Sequence, residues 1–127
     1  MDKATELTLS ILTGLVEAQI SRAEESFTLA RSHNPPVREE YCVACHVVQE
    51  SLTMLDAFSV KMMDLLEVGE PDLWTRVVLG IKLINYHEGR KAKLLDIGKQ
   101  VLDTCSWSAE DTELPKATAA RSNSPLN

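Results

Sequence analysis

The sequence predicts an all-α protein: a helical bundle of three long antiparallel helices, dimerising, with a disordered C-terminal tail. Three observations predict it. Apolar residues recur at spacings of three and four in three long segments, the amphipathic helix signal. Two stretches that combine proline with glycine or asparagine separate those segments. Aromatic residues are only 5% of the 127, against 44% apolar overall, which favours helix packing over a sheet sandwich.

The first helix is expected over about residues 4–32. Leu9, Leu12, Val16, Ile20, Ala23, Phe27 and Ala30 form its stripe. The break "SHNPPV" stops it, and a proline fits the first turn of the next helix because its missing N–H has no partner there anyway. The second helix is expected over about 36–68, with Tyr41, Cys45, Val48, Leu52, Leu55, Ser59, Met62 and Leu66 in line. "EVGEPDLW" is the second break, with Gly69 as a C-terminal cap and Pro71 at the following start. The third helix is expected over about 71–105, on Leu73, Val77, Gly80, Ile84, Leu95, Gly98, Leu102 and Cys105, interrupted by His87 and Lys91. Gly80, Gly89 and Gly98 recur in it every nine residues, which reads as a loosely formed or bent helix, as close approach of a neighbouring backbone, or as a break near "NYHEGRK" that makes two shorter helices. Each segment spans about 45–50 Å if fully helical. Short connections make the helices antiparallel neighbours. Residues 1–105 thus form one bundle domain. Residues 106–127, rich in Ser, Ala, Thr and Pro without period, read as a flexible tail.

Charge narrows the function classes. The net charge is −6 and the pI about 5.0, so phosphate backbones are not attracted and nucleic acid is not an expected partner. Residues 1–72 hold 5 basic and 13 acidic residues, whereas residues 73–105 hold 6 and 3. A basic third helix beside two acidic ones predicts matched rims inside the bundle. The uncharged run Leu7 to Val16 is too short for a bilayer, so no membrane role is expected. Without a signal sequence in "MDKATEL", and with three unspaced cysteines, the protein is expected in the cytoplasm.

Chemistry is sparse. "YCVACHVV" contains Cys-x-x-Cys-His, the pattern that attaches c-type haem. Haem needs an aromatic-rich crevice, a structural zinc needs two spaced ligand pairs, and a thioredoxin-like pair needs a βαβ setting; none is visible. On a helical wheel Cys42 and His46 fall on the polar arc and Cys45 at the edge of the apolar one. His87 falls on the apolar side of the third helix, as a polar point in a helix contact. No P-loop, GxGxxG, nucleophile elbow or HExxH occurs. No catalytic residue and no cofactor is expected.

Surplus apolar surface carries the functional expectation. Leu7, Ile11, Leu15 and Ala18 make a second stripe on the first helix, and Val47, Met54, Phe58 and Leu65 widen the arc of the second to roughly 180°. The expected function is a non-catalytic helical protein–protein interaction module, a small adaptor, regulator or chaperone-like protein. Its expected interface is Leu7, Ile11, Leu15, Met54 and Phe58, serving a homodimer or another protein. The alternative is a metal- or redox-sensing helical protein that uses Cys42, Cys45 and His46.

Overall fold

A computed structural model describes residues 1–105; the expected tail, 106–127, lies outside the described residues. Three α-helices account for nearly all of them: α1 (Lys3–Ser32), α2 (Arg38–Gly69) and α3 (Leu73–Thr104). No strand occurs among the described residues, and no helix there is long and apolar enough to cross a membrane.

Local chemistry sets the helix ends. The Asp2 carboxylate accepts from Thr5 N–H at 2.7 Å and starts α1. Asp72 starts α3 in the same way, accepting from Thr75 N–H at 2.9 Å and from its hydroxyl at 2.7 Å. α2 has no side-chain cap at Val37, but Glu39 and Glu40 in its first turn suit the positive helix end. The prolines lie two positions earlier, relative to the helix starts, than the sequence suggests. Pro36 and Pro71 precede the capping residues Val37 and Asp72 and do not enter the first turn. The carboxylate of Asp72 satisfies an orphan N–H that proline could only leave out.

Gly69 is not the left-handed cap that its position suggests. No glycine has a positive φ, and Gly69 is the last residue of α2, followed by extended Glu70. Its reason is contact. A Cβ there would lie 2.4 Å from Thr5 Oγ1 and 2.8 Å from Thr5 Cβ, so only glycine lets the start of α1 cross the end of α2. The N-terminal amine, 3.0 Å from Glu70 Oε1, ties the same corner. Glu70 Oε2 in turn accepts from Asp72 N–H at 3.1 Å.

α2 is the central helix. α1 and α3 each pack along it and meet one another less extensively. Arg22–Glu50, Gln19–Ser51 and Thr5–Gly69 fix an antiparallel α1–α2 register. One core results, with Val16, Ile20, Ala23 and Phe27 from α1, Ala44, Val47, Val48 and Leu55 from α2, and Leu94, Ile97 and Val101 from α3.

The stripes of α1 and α2 are buried or half-buried as the spacing predicts; that of α3 is not. α3 buries Gly80, His87, Leu94, Ile97 and Val101. It leaves Leu73, Val77, Ile84, Leu95 and Leu102, all members of the expected stripe, exposed. The helix carries two apolar lines on adjacent faces, and periodicity cannot say which one meets the neighbours. α3 runs unbroken through "NYHEGRK". A Cβ on Gly98 would lie 3.3 Å from Val48 Cγ1 and one on Gly80 3.4 Å from Met63 Cε, whereas Gly89 faces open space. Two of the three glycines thus admit α2 side chains.

Candidate functional site

The Cys-x-x-Cys-His segment sits in the second and third turns of α2, which turns its members apart. Cys42 and His46 are exposed and Cys45 is half-buried against the core. His46 Nε2 lies 3.3 Å from Glu50, one turn further on. Among the described residues no three His, Cys, Asp or Glu side chains are grouped so that they could hold a metal ion. Burial, and then the nearby Cys105 and Cys42, push the Cys45 thiol up from its ordinary value. Alkylation of the native protein, followed by mass spectrometry, should therefore label Cys42 well before Cys45, because the thiolate is the reacting form. Equal rates would contradict this division of the motif.

The α1–α3 seam bears out the charge reading. Arg90 Nη1 lies 3.2 Å from Glu17 Oε1, and Lys93 Nζ 3.2 Å from Glu24 Oε2. The Tyr86 hydroxyl donates to Glu17. Burial first, and then the carboxylate, raise the Tyr86 pKa. This seam joins acidic α1 to basic α3 and is closed to a partner by its own ion pairs.

His87 stands apart. It is 7% exposed, and neither ring nitrogen has a hydrogen-bond partner among the described residues. Burial pulls its pKa below the ordinary value, against the opposing pull of Asp56. The expectation of a histidine in a helix contact holds; the hydrogen bond that usually accompanies one is missing. The ring stands edge-on to Tyr86. It lines a small recess of about 200 Å³ between α2 and α3 with Asp56, Ser59, Glu88 and Lys91.

The expected interface residues divide. Leu7, Ile11 and Leu15 lie exposed on one line of α1, and Met54 is exposed on α2. Phe58 is half-buried and packs against the core, so it belongs more to the α2 interior than to a free surface. The antiparallel register puts Leu15 at the height of the Met54–Phe58 turn. The α2–α3 side has apolar surface where the spacing predicts core, at Leu73, Val77, Ile84, Leu95 and Leu102, and Ile81 is exposed beside them. Its signal is in the sequence, as a line at the same spacing as the buried one. No family model, curated protein or solved structure matches the chain.

Proposed function

We propose that the protein is a non-catalytic helical interaction module, a small adaptor, regulator or chaperone-like protein acting through apolar helix faces. The observation that carries this reading is the line Leu7, Ile11, Leu15 on α1, 44–63% exposed, outside a core that is complete without it. With Met54 it forms an apolar edge. A partner helix would seat its own apolar face there, anchored at the same spacing of three and four. Such surface left in water lowers solubility and has no value for the fold itself.

Leu15→Glu is the test. Leu15 is exposed, so the charge should leave helicity unchanged by circular dichroism while the chain loses proteins that the native form retains in affinity capture. Capture that is identical for both forms would remove this edge from the proposal. Loss of helicity would place Leu15 in the core and also count against it.

A further inference from the structure

The apolar line of α3 outside the core has a symmetry of its own. Val77, Ile81 and Ile84 lie before its middle, Leu95 and Leu102 after it, and Glu88 and Lys91 fill the two turns between. All seven side chains are exposed. The line borders recesses between α2 and α3. The recess at one end, about 480 Å³, carries Asp64, Glu67 and Arg76 beside Val77 and Ile81. The one at the other end, about 470 Å³, carries Lys99 and Asp103 beside Leu95 and Leu102. The recess at His87, with Glu88 and Lys91 on its wall, lies between them in the chain and shares Ile84 with the first.

We propose that this line receives a second copy of the same chain, α3 against α3, antiparallel about a two-fold axis between Glu88 and Lys91. The register follows from the sequence of the line. Centring the axis there sets Glu88 against Lys91 of the second copy, Ile84 against Leu95, Ile81 against Gly98 and Val77 against Leu102. Every contact then occurs twice, as a two-fold interface requires. Apolar residues meet apolar residues, and the two charges within the line meet their opposites. A parallel pairing would set Glu88 on Glu88 and Lys91 on Lys91, so charge selects the antiparallel one. Half-buried Gly98 gives the larger Ile81 room to enter. The ends of the line match as well. Lys99 of the second copy comes level with the Asp64 and Glu67 end, and Asp103 level with Arg76. The apolar line extends about 38 Å from Val77 to Leu102, enough for a continuous helix–helix contact. This interface is separate from the α1–α2 edge and stands whether or not that edge binds a partner.

Sedimentation equilibrium of the full chain tests it, with Glu88→Lys, Lys91→Glu and the double exchange beside the native form. Among the described residues neither side chain makes an ion pair within its own chain, so folding should be unaffected; circular dichroism checks this. The native chain should be a dimer. Each single reversal places like charges at both symmetric pairs and should raise the dimer dissociation constant at least about tenfold. The double exchange restores opposite charges and should restore the dimer. A monomeric native chain would overturn the proposal. So would single variants with unchanged mass, or a double exchange that stays as weak as the singles, since each separates self-association from this register.

Discussion

Replacing Leu94 by alanine is expected to lower the unfolding free energy by about 2–5 kcal/mol, while the same change at Leu95 stays within about 0.5 kcal/mol. The two residues are neighbours of the same type, yet Leu94 is 0% and Leu95 52% exposed. Truncating Leu94 removes apolar atoms from the common core and leaves a cavity among helices that cannot fully close. Truncating Leu95 removes atoms that already touch water. Urea denaturation of dilute protein, where association contributes little, measures the difference. A larger loss at Leu95 than at Leu94 would mean that α3 is rotated by about 100° from the arrangement described here. The pair therefore tests the placement of the α3 stripe, on which the proposed dimer line depends.

His87→Leu is expected to raise stability by about 1–3 kcal/mol near neutral pH and to flatten the pH dependence below it. The native ring buries two nitrogens without partners among the described residues, and leucine fills similar space with nothing to desolvate. The sign of the pH effect follows from burial. His87 has its pKa lowered from 6.5 in the folded chain, so below that value the unfolded chain binds more protons than the folded one. The stability is complete above pH 6.5 and falls as the pH drops below it, towards the folded value. Asp56 on α2 opposes the shift. Glu88 and Lys91 flank the recess from α3 itself. Comparing the two proteins across this window isolates His87, since every other ionisable group is common to both. A variant that is less stable than the native chain, or one with the same slope, would show that the ring is satisfied in solution.

Much of the fold was legible because short-range chemistry carries it. The α1 stripe from Val16 to Ala30 is buried where the spacing puts it. The α2 line was legible, and so was the division of Cys42 and His46 from Cys45. Excess acid in α1 and excess base in α3 found each other at Glu17–Arg90 and Glu24–Lys93. What was not legible concerns choices between equivalents. On α3 the spacing supports both Leu95 and Leu94 as core, and the richer line is not the inner one. Phe58 widens the apolar arc of α2, but only its neighbours decide that it leans inward. Gly69 looks like a terminator by position, whereas Thr5, sixty-four residues away, explains it.

The sequence by itself determined three amphipathic helices, their breaks and an antiparallel order, because helix propensity, capping and period act within a few residues. The tertiary structure decided which face of each helix meets its neighbours, and so which apolar lines remain outside the core. It also decided that His87 is enclosed without a hydrogen bond among the described residues. These outcomes depend on close packing between residues far apart in the chain, where one glycine or one methyl group sets how near two helices come and how they are rotated.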